Sequence, residues 1–316
     1  MKLSTQKIHI NFKKFREMIK LNIYRFELLN KVKEQQVLSF YNEEEDFLDT
    51  MNDFLSYILE NIRDYTDSQG KYRTFTLSNP QKKNQEKRIV SGFFDSAYTG
   101  ERGKIKDRST NSVKFSVDHK DLFSKDFFFL IYVPKGTKFG FLIVQRKENH
   151  GVKSIFESAF NNFMRMKGVS NYSLVLKQAP PRYFIQNFLE KGRLKEFKLV
   201  ENDFHEEFSE KKFDFGREER IFKVNKSRES HILKEVLLEL YNSFDEEAEK
   251  IHFLDKGKFD EISFVLEYKG TTKTFYIRNK EKIRSNIDVS NQVDYVNGEP
   301  SIESMINVAL EILKVA

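Results

Sequence analysis

Cysteine is absent from the 316 residues, which excludes disulfides, thiolate metal sites and cysteine nucleophiles together. A chain without thiols fits the reducing cytosol, and cytoplasmic is the expected location. Long apolar runs are missing too. No window approaches the roughly eighteen uncharged apolar residues of a membrane helix, and the start, MKLSTQKIHINFKKFREMIK, has no apolar signal core. The chain is expected to stay soluble. Motifs that announce common chemistries are also lacking: there is no G-x-x-x-x-G-K-[ST] phosphate loop, no G-x-G-x-x-G after a strand and no G-x-S-x-G elbow. The six histidines, His9, His119, His150, His205, His231 and His252, are scattered without metal-type spacing, so neither a metal nor a cofactor is expected.

What is present is ample apolar material under a heavily charged surface: 39% hydrophobic and 32% charged residues, with 32 Phe. Residues 7–11 read as a first strand. Phe47, Met51, Phe54, Leu55, Ile58 and Ile62 recur at helical spacing behind the acids Glu43, Glu44, Glu45 and Asp46, predicting a helix over 44–63 with its acids at the positive end of the dipole. Residues 72–77 and 89–94 read as short strands amid basic loops, and 127–133 and 141–144 as adjacent buried strands around the turn PKGTKFG. Ser154 and Glu157 have capping-box spacing ahead of a helix beginning at Ile155. Pro180, Pro181 and Gly192 bracket a short helix over 183–191, followed by a strand over 194–200.

Further on, Ile232, Leu233, Val236, Leu237, Leu240 and Tyr241 predict an amphipathic helix. Residues 262–268 and 274–277 predict a hairpin across Lys269-Gly270, and 301–315 a terminal helix. The phrase FLEKGRLKEF (188–197) resembles FLDKGKFDEI (253–262) and reads as a repeated helix-to-strand unit. The length favours two domains. The expectation is an α+β (mixed α/β) fold with domains over 1–175 and 176–316, each a sheet packed with amphipathic helices, the first carrying basic loops and the second the repeated unit.

The positive charge is concentrated. Residues 71–112 hold ten Lys or Arg (71, 73, 82, 83, 87, 88, 102, 104, 106, 108) against four acids (86, 95, 101, 107), an excess of six that equals the net charge of the whole chain, +6. Nucleic-acid backbones require such cations on loops or helix starts. Lys82, Lys83, Lys87 and Arg88 form one group. Arg102, Lys104, Lys106 and Arg108 alternate, so an extended stretch would line one edge with all four. Arg146, Lys147 and Lys153 precede the capped helix, where backbone N–H groups also meet phosphates. A solvated basic surface that opposes aggregation is the alternative reading.

Two weaker signals point elsewhere. Glu267-Tyr268-Lys269 matches the E-x-K of metal-dependent nucleases, with Asp255 or Asp260 as a second carboxylate, although its Lys-Gly end also reads as a hairpin turn. Gly100-Glu101-Arg102-Gly103 is a lone GxxG in a basic setting.

The order FFFLIYVPKGTKFGFLIVQR, GVKSIFESAFNNFM, IFKVNKSRESHIL, DEISFVLEYKG and a terminal helix after NGEPS resembles the phage-defence proteins around RexA and KwaB, over residues 127 to the C-terminus. That resemblance implies sequence-nonspecific DNA binding, a homodimer, a membrane-protein defence partner and a role in antiviral abortive infection, with no covalent chemistry. Two other classes compete with it. One is a protein-interaction subunit whose basic region docks an acidic partner or the chain's own acidic segments, 43–53 and 201–219; the other is a metal-dependent nuclease.

Overall fold

The computed structural model describes residues 18–42, 45–66, 72–98, 102–119, 121–147, 150–202, 205–208, 211–214, 216–225, 228–245, 248–296 and 299–314. The strand expected over 7–11 lies outside them. β1 (Lys20–Leu29) sends Leu21 and Ile23 to one face of a sheet and Phe26 and Leu28 to the other. α1 (Phe47–Glu60) begins where the Asp46 carboxylate accepts the Leu48 N–H, so the helix is shorter at both ends than its apolar periodicity predicts. Arg63 belongs to β2 (Arg63–Thr66). Next come β3 (Tyr72–Leu77), β4 (Lys82–Asn84), β5 (Ile89–Tyr98), β6 (Gly103–Lys106), β7 (Val113–Val117) and β8 (Phe123–Tyr132). The stretches expected to be loops thus carry β4, the far end of β5, and β6. The residues of β4 and β6 are exposed and largely polar and give no apolar face, whereas Ser96 and Ala97 at the far end of β5 are buried within the sheet.

β9 (Gly140–Arg146) turns back beside β8, as the two apolar runs predict. A Cβ on Gly140 would collide with the Phe26 ring, so only glycine lets β9 close on β1. α2 (Lys153–Met166) starts two residues before the expected position, and the capping box does not form. Val152 occupies the N-cap with no side-chain bond, while Glu157 accepts the Leu176 N–H at 3.1 Å. That tertiary partner lies on β10 (Ser173–Gln178), so the division expected at residue 175 falls within a strand of the first sheet.

α3 (Arg182–Lys191) and β11 (Arg193–Asn202) follow, then the hairpin of β12 (His205–Phe208) and β13 (Lys211–Asp214), and β14 (Arg217–Lys223). α4 (Arg228–Ser243) leads to the short pair β15 (Ile251–His252) and β16 (Lys258–Phe259), then to β17 (Glu261–Tyr268) and β18 (Thr271–Tyr276). Lys269 and Gly270 turn the β17–β18 hairpin with φ of 48° and 74°. The two similar phrases adopt different structures. The first is α3 running into β11, whereas the second is a 3-10 turn over Leu254–Lys256. Gly192 ends α3 in ordinary extended backbone, where a Cβ would strike the Phe188 carbonyl oxygen, while Gly257 sits at φ 106°. The chain closes with β19 (Ile287–Asp288), β20 (Tyr295–Val296), β21 (Glu299–Pro300) and α5 (Ile302–Lys314).

The first sheet is antiparallel in the order β10-β1-β9-β8-β5-β3-β2, with β4 paired to β5 and β19 to β1. Both faces are apolar. Phe127, Phe129 and Ile131 pack with α1 and α2, where the Phe54 ring lies 5.2–5.6 Å from those of Phe156, Phe160 and Phe163. Phe128, Leu130, Ile23 and Ile143 face the other way and are covered by Met305, Ala309 and Ile312 of α5. The second sheet, β14-β11-β17-β18, carries α3 and α4 on one face, with Phe188, Leu237 and Tyr241 against Phe264 and Phe275. Phe184 touches the core of the second sheet and the core of the first on the face covered by α5. A mixed α+β architecture is therefore observed, and no helix among the described residues is long and apolar enough to cross a membrane.

Arg88, at φ 52° in the β4–β5 turn, anchors α1. Its guanidinium meets both Asp46 oxygens at 2.8 Å, and its Nε donates to the Val133 carbonyl at 2.6 Å. Burial opposes ionisation of Asp46, but hydrogen bonds from Arg88 and the Leu48 N–H, with the charges of Arg88 and Lys83, hold its carboxyl below the usual range. Asp46→Ala removes a helix cap and strands the guanidinium, so denaturant unfolding should show a loss of about 2–3 kcal/mol. That cost should stand above about pH 4 and fade below it, because the carboxyl stays ionised to lower pH in the folded chain than in the unfolded one.

Candidate nucleic-acid interface

β5 and β8 pair over their full length, from Ile89 opposite Tyr132 to Tyr98 opposite Phe123. Between Tyr98 and Phe123 the chain leaves the sheet and returns as a separate two-stranded ribbon, β6–β7, with no third strand beside it among the described residues. Every β6 side chain and the first four of β7 are exposed. Arg102 precedes β6, Lys104 and Lys106 alternate along it, and Arg108 lies in the turn beyond, so the extended segment is shorter than the basic run. Lys104 stands opposite Ser116 and Ile105 opposite Phe115. One face is therefore basic and polar, and the other shows Ile105 at 51% and Phe115 at 54% exposure. The register shifts between Ile105 and Lys106, which twists the ribbon.

The tip is built by Asp107. Its carboxylate meets Lys114 at 2.8 Å and accepts the Ser109 and Thr110 N–H groups at 2.8 and 3.0 Å. The hydrogen bond from Lys114, those from the Ser109 hydroxyl and the two N–H groups hold this carboxyl well below its usual range. Asn111 adopts φ 57° and accepts from Lys106 Nζ at 3.2 Å. Arg102 lies 3.6 Å from Asp118, an exposed pair that readily exchanges for another anion. Lys104 and Arg108 make no side-chain hydrogen bond or ion pair among the described residues.

The first basic group lies elsewhere. Lys82 to Arg88 surround the β4–β5 turn at the Ile89 end of β5, while the ribbon leaves from the Tyr98 end, about 30 Å away along a ten-residue strand. Arg88 and Lys83 bind Asp46 and Asp49 at the start of α1, so here the basic region meets the chain's own acidic segment. Lys82 approaches Glu303 of α5 at 3.6 Å, and Lys87 is exposed. Arg88, with a side chain 15% exposed, is an anchor of the fold.

The third group shares the ribbon's end of the sheet. Arg146 ends β9, Lys147 bridges to His150, and the His150 ring lies 4.8 Å from that of Tyr98. Lys153 opens α2, 3.8 Å from Glu157. Arg73 joins them, its guanidinium 4.5 Å above the Tyr98 ring and its NH2 donating to the Gly151 carbonyl at 2.8 Å. Arg73, Lys114 and Lys125 are cations of this end that the spacing of basic residues misses. Arg73 and Lys125 are placed by strand pairing with β5, and Lys114 by the local β6–β7 hairpin. Gly100 and Glu101 of the GxxG lie outside the described residues, and Gly103 begins β6.

The E-x-K residues do not assemble a metal site. Glu267 meets Lys195 at 2.9 Å and Arg193 at 3.1 Å, and those hydrogen bonds hold its carboxyl below the usual range. Lys269 turns the hairpin. Asp260 stands at the opposite end of β17, about 23 Å from Glu267, and accepts the Asn202 N–H at 2.7 Å. The Asp255 side chain lies outside the described residues. Among the described residues no three His, Asp or Glu side chains gather to hold a metal ion.

Compared with the known protein families and with curated proteins, the chain matches none.

Lys273 is the one strongly perturbed base among the described residues. It is buried, with its ammonium 5.3 Å above the Phe184 ring. Burial, then the charges of Lys20, Arg146 and Arg284, pull its pKa down to about 8. The unfolded chain therefore binds more protons between about pH 8 and 10.4, and this residue's burden on stability is full below that window and lifts through it. Lys273→Met should raise stability by about 2 kcal/mol at neutral pH in denaturant unfolding, with the difference shrinking toward pH 10.

Proposed function

We propose that the chain binds DNA without sequence preference, gripping the phosphate backbone with the β6–β7 ribbon. The observation that carries this reading is the ribbon itself: Arg102, Lys104, Lys106 and Arg108, all exposed, on a two-stranded arm, with Lys104 and Arg108 unpaired among the described residues. A two-stranded ribbon is of a width that the major groove admits, and its cations would release condensed counterions on binding. Arg146, Lys147 and Lys153 stand at the same end of the sheet and extend the basic surface toward the flanking duplex. The tip turn, tied by Asp107, presents Arg108 with little ordering left to do on binding. Work in antiviral defence, as a homodimer beside a membrane-protein partner, is the setting implied by the resemblance to RexA and KwaB. No step of this reading makes or breaks a covalent bond.

One observation favours a second reading. The opposite face of the ribbon exposes Ile105 and Phe115, with Val113, Leu122 and Phe123 also exposed nearby in sequence, and an apolar face on a projecting arm suits a protein partner. The two readings separate in one experiment. Labelled duplex DNA, single-stranded DNA and RNA are titrated across a salt series with magnesium present, and the ligand is checked afterwards on a gel. The DNA reading expects intact duplex to be retained, with log K falling by about 0.9 per neutralised phosphate for each unit of log salt. Replacing Arg102, Lys104, Lys106 and Arg108 together with Glu should abolish retention while the circular dichroism spectrum stays unchanged. Retention that survives in this folded variant would remove the ribbon as the DNA site, and cut ligand would revive the nuclease. No binding by the wild type at low salt would leave the protein-interaction subunit.

A further inference from the structure

Lys273 carries a buried charge that no acid of its own sheet neutralises. β18 is a terminal strand of the second sheet, and Lys273 points to the same face as Phe275, which α3 and α4 cover. Leu266 stands opposite it on β17, so the neighbouring strand offers no acceptor. α3 offers only the Phe184 ring, 5.3 Å from the ammonium, and that ring packs on the cores of both sheets. Lys273 therefore lies at the seam between the sheets, 7% exposed, with no hydrogen bond or ion pair among the described residues. Its tip is not sealed. The fully buried side-chain atoms without a partner among the described residues are Arg25 Nε, Gln178 Oε1 and Asn286 Oδ1, so Lys273 Nζ keeps a contact with solvent.

At this seam the first sheet supplies more positive charge. The charges of Lys20, Arg146 and Arg284 act on Lys273, and that of no carboxylate among the described residues does. Lys20 of β1 stands directly opposite Arg146 of β9, a like-charge pair that destabilises a sheet. Arg284 is held beside β1 by its neighbour Ser285, whose Oγ accepts the Ile23 N–H at 2.9 Å, and its own side chain is exposed. Lys20 and Arg284 make no side-chain hydrogen bond or ion pair among the described residues. Two nearby carboxylates do not serve them. Asp288, opposite Lys20 on β19, accepts the N–H and hydroxyl of Ser290 at 3.0 and 2.6 Å. Glu281, in the 3-10 turn before Arg284, is exposed and makes no ion pair among the described residues.

Other cations close to the core are matched, as Arg88 is by Asp46 and Lys177 by Glu27. A buried ammonium with three further cations around it lacks that balance, and a folded chain tolerates such a charge poorly. A bound anion would supply it. Ammonium and guanidinium groups converging from β1, β9, β18 and residue 284 present donors from several directions, which suits an anion with several acceptor oxygens and more than one charge. A duplex backbone cannot follow into a residue 7% exposed, whereas a small ion can. We propose that the seam binds a free oxyanion of the phosphate class, inorganic phosphate or a phosphate monoester, with Lys273 at its centre and Lys20, Arg146 and Arg284 around it.

The test is calorimetric titration of the full chain with inorganic phosphate and with glycerol phosphate, chloride holding the ionic strength constant. Binding of at least one is expected, and the tighter of the two identifies the source of the phosphate group. Lys273→Met should weaken it at least about tenfold, and Arg284→Gln, on an exposed side chain, about tenfold, each removing one charge-assisted hydrogen bond. Denaturant unfolding gives a second readout. Phosphate in place of chloride should raise the midpoint of the wild type and leave that of Lys273→Met unchanged, so the variant's advantage in chloride shrinks. Lys273→Met should retain duplex DNA as the wild type does, which keeps this result apart from the ribbon's. The proposal is overturned if neither anion binds at millimolar concentration, if phosphate stabilises wild type and Lys273→Met equally, or if folded Arg284→Gln binds with unchanged affinity. Displacement of bound phosphate by duplex DNA would equally sink it, since the cluster would then belong to a DNA track.

Discussion

The run Phe127–Phe128–Phe129–Leu130–Ile131 has no polar side, so the strand that contains it must be covered on both faces, and the rest of the chain is arranged around that requirement. α1 and α2 supply one cover from nearby sequence. The other cover, α5, comes from the far C-terminus after the chain has built an entire second sheet. Its return is laced to β1: the Ile23 N–H donates to Ser285 Oγ at 2.9 Å, the Asn286 N–H to Asn22 Oδ1 at 3.0 Å, and the Ile19 N–H to Ser290 Oγ at 2.9 Å. The second sheet is thereby fixed against the first, and a groove between β10 and β18, with Lys177, Lys282 and Arg284 in its wall, is a product of that docking.

The same sheet sorts the chain's cations. Those near the start of α1 face carboxylates and are neutralised there, so Arg88 and Lys83 serve the helix they anchor. Those beyond the other end of β5 and β8 leave the sheet on a ribbon too narrow to bury anything. Exposed pairs such as Arg102 with Asp118 contribute little to stability. Cations that anchor the fold and cations left exposed thus lie at opposite ends of one pair of strands, about 30 Å apart. A ribbon can lose its charges without unfolding the core, because no core residue depends on them.

Much of the fold is legible along the chain. α1, α3, α4 and α5, the β8–β9 pair and the β17–β18 hairpin follow from apolar periodicity and turn residues, which are local properties. The capping box at Ser154 and Glu157 fails because Glu157 finds a better partner on β10, a hydrogen bond between segments nineteen residues apart. β4 and β6 escape notice because exposed polar strands lack alternation. The similar phrases at 188 and 253 differ even in the backbone of their glycines, extended at Gly192 and at positive φ at Gly257. Of the candidate site, the basic run at 102–108 and Arg73 are visible as composition, but the place of Arg73 beside Tyr98 is not, since strand register puts it there.

By itself the sequence determined the secondary elements with strong periodicity, the absence of thiol chemistry and the place of the excess charge, because each depends on residue identity and short spacing. Only the tertiary structure decided which cations are free. A lysine or arginine near a carboxylate in space is neutralised whatever its distance in sequence, as Arg88 is by Asp46, and one carried away from the sheet is not. The groove between β10 and β18 was likewise invisible along the chain, for Lys177, Lys282 and Arg284 in its wall meet only in the tertiary structure.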